Sequence, residues 1–446
     1  MKKKSFVSLY IFIFVYGLFH VPFIIAGFGE PDAWRNGSVA LNWGVGKGYL
    51  PARFPGFPVV ELSYGVLACI FPAEKLWLYT NSLTLLLSLI GIYVFYKILI
   101  YHNISNPITI SLLLFFTPIL FVNASSSMDY LWTICFVLLC YWFLLNQKPI
   151  WGGIFLGLAI GCRLTTGIFI FPFILFIICN PIIESPKVFI RNSVKFIGSA
   201  GLISVFCYMP LFIKYQTDFL TTLYPPRDFL RSGYYILQYL FGVPGSFALI
   251  FFLIKWWRQK LDWNWELSFW SFTLFCYLCL FLIKPEKVEY LAPMMPFLLL
   301  LIGRIMGKKC LYWLTFLVII NNIVSFGIIK SEEQELRWID RGIAWQKLNA
   351  YKNYSIDARF LINYPYPPDS TIVAGWHLPG IEYIMDTPSF YSRKKYLKDN
   401  RIKFFYEQEN FFKNNVYYVF GSFKEKQNSP VDYNRIIYPP SSQKKE

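Results

Sequence analysis

Apolar residues fall in long runs along the first three quarters of the chain, and short polar segments separate the runs. A run of about 20 apolar residues is long enough to cross a bilayer as a helix. The pattern predicts eleven membrane-spanning helices, over residues 6–26, 76–100, 107–122, 130–145, 150–162, 164–179, 195–213, 235–256, 266–283, 290–304 and 310–329. Residues 1–330 are therefore predicted to form an all-α polytopic membrane domain.

Two stretches need a separate interpretation. The run 57–72 contains Glu61 and begins with the sequence FPGFP, which predicts a re-entrant or surface-lying helix inside a long first outer loop, 27–75. The stretch 150–179 is either one long helix or two short helices broken at Arg163. Two short helices place the later Lys- and Arg-rich loops on the cytoplasmic side, as the positive-inside rule requires. That topology predicts a cytoplasmic N-terminus, a retained first helix and an extracytoplasmic C-terminus.

The composition changes at about Ser331. The stretch SEEQELRWIDRGIAWQKL is charged and has a helical pattern, whereas STIVAGW and NVYYVFGSF are typical of buried strands. A basic helix around SRKKYLKDNR is predicted between those two strands. Residues 331–446 are therefore predicted to form a small extracytoplasmic α/β domain.

The composition supports a membrane protein and argues against two other classes. Apolar residues make up 56% of the chain and charged residues only 15%. The net charge of +16 comes from Lys and Arg residues that are scattered between apolar runs, so no nucleic-acid partner is predicted. The nine Cys residues lie mostly inside apolar runs and the three His residues lie far apart, so neither a disulfide framework nor a His-based metal site is predicted. The sequence leaves open whether a divalent metal is a cofactor.

The long polar segments all belong to the predicted outer face, which therefore is the expected location of function. Nucleotide cosubstrates are cytoplasmic, so a group-transfer reaction at that face needs an activated donor that crosses the membrane. A lipid-linked phosphate ester has this property. The membrane is thus itself an expected partner.

Three carboxylates follow apolar runs on the predicted outer face. Asp32 could act as a general base toward an acceptor hydroxyl, since an ionised carboxylate within hydrogen-bond reach can accept its proton. It could equally cap the interfacial helix that follows. Glu30 is a weaker candidate for the same role or for solvation alone, and Asp129 could cap the next helix or orient an acceptor or a cation.

Several cations on the same face are candidates for binding a donor phosphate. Arg163 lies between two apolar halves, where an ionisable group is costly and therefore suggests a function, although it could simply mark a hairpin tip. Arg53 could bind a lipid phosphate with its planar guanidinium or extend to the headgroup layer. Cations on outer loops run against the positive-inside rule, which adds Lys284, Lys287, Arg227 and Arg231, each with simple solvation as the alternative.

The order of these motifs resembles that of the GT-C glycosyltransferases, and in particular the protein O-mannosyltransferase and aminoarabinose-transferase group. The resemblance covers most of residues 1–330. It rests on EPDAW and GKGYLPARFPGFPVVEL after the first helix, FFTPILFVNASSSMDYLWTICFVLL, GGIFLGLAIGCRLTTGIFIFPFILF and KPEKVEYLAPMMPFLLLLIGRI. Arg163 stands where the family usually has Lys, and Glu289 stands where it has Arg before Tyr290.

The resemblance implies a fold, a reaction and site residues. Asp32 would be the general base, Arg163 and Arg53 would bind the donor phosphate, and Asp129 would be a second acid near the acceptor. Tyr290 and Glu289 would contact substrate, with Lys287 supplying the cation that Glu289 lacks. A sugar would move with inversion from a polyprenyl- or dolichyl-phosphate donor to a hydroxyl of a glycan, lipid or protein acceptor.

Two rival functions remain at this point. One is a transporter or flippase for lipid-linked saccharides, although no repeated halves are present in the sequence. The other is a polymerase or ligase of lipid-linked saccharides. The Lys-, Asn- and Ile-rich composition is typical of an AT-rich bacterium, so the expected location is the bacterial inner membrane and the expected product is a cell-envelope glycan.

Overall fold

The computed structural model is mostly helical and describes residues 2–179, 185–220, 233, 236, 238–257, 264–283, 288–330, 336–405, 416–419, 436–437 and 439–440. Two compact units divide the chain. The first unit comprises Met1–Val21, Arg53–Val60 and Leu83–Lys347. The second comprises Pro22–Ala52, Glu61–Ser82 and Leu348–Glu446, so it joins most of residues 27–75 with the C-terminal region.

The helices up to residue 215 follow the apolar runs and usually begin at a proline, which is favoured at the first helical position. They are α1 (Lys2–Ile24), α2 (Pro31–Gly44), α3 (Pro58–Ile70), α4 (Leu76–Tyr101), α5 (Pro107–Phe115), α6 (Pro118–Asn123), α7 (Tyr130–Leu145), α8 (Pro149–Cys162), α9 (Ile170–Cys179) and α10 (Pro186–Tyr215). Helix α3 lies in the run that was predicted as a re-entrant or surface helix.

The later part of the chain contains further helices and, from residue 324 onward, short strands. The helices are α11 (Gly242–Trp257), α12 (Trp265–Ile283), α13 (Met295–Ile305), α14 (Lys308–Ile323), α15 (Ile343–Asn363), α16 (Leu378–Met385) and α17 (Tyr391–Asp399). The strands are β1 (Val324–Lys330), β2 (Leu336–Arg341), β3 (Thr371–Val373), β4 (Lys403–Phe405), β5 (Val416–Val419) and β6 (Ile436–Ile437).

Four helical segments of the described chain are long and apolar enough to cross a membrane, which identifies a membrane protein. They are Val7–Ile24, Ala73–Tyr101, Pro186–Tyr215 and Trp265–Ile283. Other predicted spans form shorter apolar helices, and in two of them a proline interrupts the run. The run 107–122 is divided before Pro118, and the run 290–304 begins as a 3-10 helix, Val288–Met294, that contains Pro293.

One predicted helical stretch is partly wrong. Residues 336–341 form strand β2, which pairs antiparallel with β1, and the helix predicted there begins only with α15 at Ile343. Strand β1 also ends the last apolar helix at Ile323 instead of near 329. The alternation of bulky and small residues in VSFGIIK suits a strand with a partner, and the pairing overrides the local helical pattern.

The second unit contains a parallel sheet of four strands in the order β4-β3-β5-β6. Strands β3 and β5 occupy the two predicted strand segments, and α17 forms from the predicted basic helix between them. A small core of Val373, Val416 and Tyr418 lies on this sheet. The α/β character predicted for the C-terminal region is confirmed.

A face of small residues lets α8 approach α10 closely in the first unit. Gly153, Gly157 and Gly161 recur every fourth residue and therefore share one side of α8. A Cβ on Gly153 would lie 2.3 Å from the Phe196 carbonyl oxygen, and a Cβ on Gly157 would lie 2.8 Å from the Ala200 carbonyl oxygen. This spacing is the small-residue motif that packs membrane helices together.

Gly157→Ala is expected to destabilise the protein by about 1–3 kcal/mol, because the added methyl group collides with backbone atoms that cannot move independently. The matched control is Gly198→Ala on α10, where a Cβ meets nothing within 4 Å. The control should be neutral or stabilising by up to about 1 kcal/mol, since Ala favours a helix over Gly. Thermal unfolding in detergent micelles measures both variants. Equal shifts in melting temperature would contradict the close packing of α8 on α10.

Candidate functional site

Arg163 lies at a break between two apolar helices, as the sequence predicts. Helix α8 ends at Cys162, and Arg163 is extended, with φ −156° and ψ 112°. A 3-10 helix, Leu164–Phe169, follows and leads into α9. The break turns the Arg163 side chain inward, where it is only 5% exposed.

The guanidinium of Arg163 is held on several sides. Its Nε donates to Asp129 Oδ2 at 2.6 Å, and the Asp129 side chain is fully buried. The Arg163 Cζ atom also lies 4.7 Å from the ring centre of Tyr130 and 4.5 Å from that of Tyr290. Cation–π contacts of this kind strengthen when they are shielded from water. The cation is therefore fixed in place before any ligand arrives.

The Arg163–Asp129 pair leaves hydrogen-bonding capacity unused. Arg163 Nη2 and Asp129 Oδ1 are buried and have no hydrogen-bond partner among the described residues. A buried donor without an acceptor is costly, and such atoms in a native site often mark the position of a ligand or water. The arrangement can accept an anion at Nη2 while Nε remains bound to Asp129.

A cavity of about 260 Å³ in the first unit brings together three residues that the sequence singled out: Arg53, Arg163 and Tyr290. Arg53 comes from the loop between α2 and α3, and its Cζ atom lies 5.1 Å from the ring centre of Phe57. The other lining residues are mostly apolar: Phe54, Pro55, Gly56, Phe57, Leu164, Thr165, Tyr277, Leu280, Phe281 and Ile283. The guanidinium groups of Arg53 and Arg163 thus both line this cavity.

Asp32 belongs to the second unit and lies in the first turn of α2, where it is 7% exposed. Its Oδ1 accepts a hydrogen bond of 2.9 Å from Arg35 Nη1, one helical turn further on. Helix α2 packs on α16, which carries Glu382. Burial raises the pKa of the Glu382 carboxyl, and the nearby positive charge of Arg35 partly offsets that effect. Arg35 therefore interacts with carboxylates on two helices.

The helix-capping alternative is wrong for Asp32, and it holds for Asp129 in position but not in hydrogen bonding. The N-cap residue of α2 is Glu30, and it makes no side-chain capping bond, whereas Asp32 lies inside the helix and pairs with Arg35. Asp129 does occupy the N-cap position of α7 but also makes no side-chain capping bond. Its carboxylate is used for Arg163 instead. Asp32 thus pairs with a cation one helical turn away, whereas the partner of Asp129 comes from a distant segment of the chain.

The remaining predicted site residues either do not line the cavity or lie outside the described residues. Glu289 is half-buried beside Tyr290 but is not among the lining residues of the cavity. Lys284, Lys287, Arg227 and Arg231 lie outside the described residues. Within the described ranges, no group of three His, Cys, Asp or Glu side chains could hold a metal ion.

Sequence reasoning missed three contributors to these sites: Tyr130, Arg35 and Glu382. Arg35 is three residues after Asp32, so helical spacing could have suggested it. Tyr130 directly follows Asp129, and helical spacing gives no reason to expect both at one cation. Glu382 is separated from Arg35 by more than 300 residues, and no local signal relates them.

The chain was also compared with known proteins. Comparison with protein-family models, with curated proteins and with solved structures gives no match in any of the three.

Proposed function

We propose that the protein is a membrane glycosyltransferase that moves a sugar from a polyprenyl-phosphate or dolichyl-phosphate donor to a hydroxyl acceptor on the extracytoplasmic face. The observation that carries the proposal is the cavity of the first unit. It combines two guanidinium groups with walls that are otherwise mostly apolar. A phosphate attached to an isoprenoid chain matches both features, whereas a free sugar or a neutral lipid matches only one.

The proposed phosphate contacts follow from charge and geometry. Arg163 Nη2 is a buried donor with no partner among the described residues, and it can donate to a phosphate oxygen without releasing Asp129. Arg53 supplies the second cation of the cavity. Hydrogen bonds between guanidinium and phosphate are charge-assisted and about twice as strong as neutral ones. Both cations would stabilise the charge that grows on the departing phosphate.

The proposed reaction is a direct displacement. The acceptor oxygen forms a bond to the anomeric carbon while the bond from that carbon to the phosphate oxygen breaks, so the anomeric configuration inverts. Asp32 takes the proton of the acceptor hydroxyl, and the lipid phosphate leaves as an anion. Arg35 holds the Asp32 carboxylate through one oxygen. Buried surroundings favour such a role, because few waters compete for the base.

A binding experiment tests the donor site. The purified full-length protein in lipid nanodiscs is titrated with undecaprenyl phosphate and, in parallel, with undecaprenol and with inorganic phosphate. We expect undecaprenyl phosphate to bind at least 10-fold more tightly than either partial ligand. Arg53→Ala should weaken binding about 10-fold or more, because it removes a charge-assisted contact of about 1.5–3 kcal/mol.

The matched control for Arg53→Ala is Arg191→Ala. Arg191 is an exposed residue of α10 in the same unit and does not line the cavity. Its replacement should leave the affinity unchanged. Equal binding of undecaprenol and undecaprenyl phosphate would overturn the phosphate site, and with it the proposed donor class.

A further inference from the structure

A second pocket lies entirely within the second unit. Its volume is about 480 Å³, which is in the range of small-molecule sites. Four segments of the chain form it: the loop before α2 together with Trp34 of α2, the stretch from Glu74 to Trp77 at the start of α4, one face of α15, and the end of α16 with the residues that follow. The complete lining is Ile25, Ala26, Gly27, Trp34, Glu74, Trp77, Ser355, Arg359, Tyr383, Ile384, Thr387, Ser389 and Phe390.

Aromatic rings form one part of this second pocket, and hydrogen bonds hold two of them, Trp77 and Tyr383. The Trp77 indole donates to the Glu74 carbonyl oxygen at 3.1 Å. The Tyr383 hydroxyl donates to the Ala73 carbonyl oxygen. Trp34 and Tyr383 lie 5.4 Å apart and nearly perpendicular, at 75°. The rings are therefore rigid platforms instead of mobile side chains, which lowers the entropic cost of binding.

Polar groups of both charges form the rest of the second pocket. Ser355 and Arg359 are four residues apart on α15 and so share a face. The Ser389 hydroxyl donates to Glu74 Oε1 at 3.3 Å. These groups can donate to and accept from neighbouring hydroxyls, which is the pattern that a sugar ring presents. A fatty acyl chain would make no hydrogen bond to any of them.

The Trp34 side chain gives a separate indication of a ligand. It is 3% exposed, lines the second pocket, and its indole Nε1–H has no hydrogen-bond acceptor among the described residues. Buried indole N–H groups usually have a partner. An oxygen of a bound molecule would supply one.

We infer that the second pocket binds one or two rings of a saccharide. The apolar C–H face of a sugar ring would pack on the aromatic platforms, and its hydroxyls would bond to Glu74, Ser355 and Arg359. The identification of this saccharide as the acceptor rests on the proposed function. The pocket lies in the same unit as Asp32, so that unit carries both the proposed base and the proposed acceptor site.

A glycan array tests the inference without any donor lipid. The full-length protein in nanodiscs is applied to immobilised hexose, N-acetylhexosamine and uronic acid disaccharides and oligosaccharides. We expect binding to a subset of these saccharides. Trp77→Ala and Arg359→Ala should each lower the affinity at least 10-fold, whereas Trp77→Phe should keep part of it because an aromatic platform remains.

Two matched controls exclude general effects on the second unit. Trp376 is 56% exposed, Arg401 is exposed, and neither lines the second pocket. Trp376→Ala and Arg401→Ala should bind like the wild type. Failure of every saccharide to bind, or equal binding by Trp77→Ala, would overturn the inference. Either result leaves the undecaprenyl phosphate measurement unaffected, so the two proposals fail separately.

Discussion

Arg163→Ala is expected to destabilise the purified protein by about 3–5 kcal/mol, the typical cost of leaving one member of a buried ion pair uncompensated. Asp129 is fully buried and accepts from Arg163 Nε at 2.6 Å, so the variant would leave its charge without this partner. The cation–π contacts with Tyr130 and Tyr290 would be lost as well. Thermal unfolding in detergent micelles measures the effect.

A chemically identical pair in a more exposed position is the control. Arg35 and Asp32 lie 2.9 Å apart, but the Arg35 side chain is 30% exposed. Arg35→Ala should therefore destabilise the protein less than Arg163→Ala does, because water in contact with the Arg35 side chain screens the pair. Equal destabilisation by Arg163→Ala and Arg35→Ala would contradict the prediction that burial makes the Arg163–Asp129 pair more important for stability.

A double variant separates the stability of the buried pair from its function. Asp129→Leu combined with Arg163→Met removes both charges, and an apolar replacement of a buried ion pair is often neutral or stabilising. We expect it to recover much of the stability that Arg163→Ala loses, yet to bind undecaprenyl phosphate at least 10-fold more weakly than the wild type. Recovery of both properties would mean that Arg163 has only a structural role.

The position of Arg163 at a helix break could be predicted from the sequence for a physical reason. A lone cation inside 30 residues of otherwise apolar chain, 150–179, is costly in a membrane, and the structure does break the helix there. The partner of the cation could not be predicted. Asp129 is 34 residues earlier, and its position before a helix made capping the obvious interpretation. Only the packing of α7 against α8 brings the two charges together.

The lengths of the helices and the division of the chain into two units were not predictable from the apolar runs. Apolar runs predicted where helices occur, but the prolines at 118 and 293 shortened helices that hydropathy alone treated as spans. The joining of residues 22–52 with residues 348–446 depends on contacts between distant segments, such as Phe28 with Tyr383 at 4.8 Å. No local pattern encodes such contacts, and for that reason the second pocket was not anticipated.

Asp32→Asn is expected to lower sugar transfer by about 100- to 10,000-fold, the usual contribution of a general base. The amide has nearly the same shape as the carboxylate, so helix α2 and its packing should be retained, but the amide cannot take the acceptor proton. The assay uses proteoliposomes with isotopically labelled polyprenyl-phosphate sugars and a soluble saccharide acceptor, and it measures label in the acceptor. Binding of undecaprenyl phosphate should be unchanged, because Asp32 is not among the lining residues of the donor cavity.

Two further carboxylate variants show whether a loss of transfer is specific to Asp32. Asp386→Asn changes an exposed carboxylate of the same unit that pairs with Lys394, and its transfer rate should match the wild type. Glu30→Gln addresses the other carboxylate before α2. A loss of transfer in Glu30→Gln together with normal transfer in Asp32→Asn would assign the base to Glu30. Transport of the lipid-linked sugar across the bilayer with no label in any acceptor would instead favour a flippase, for which Asp32 would need no proton-accepting role.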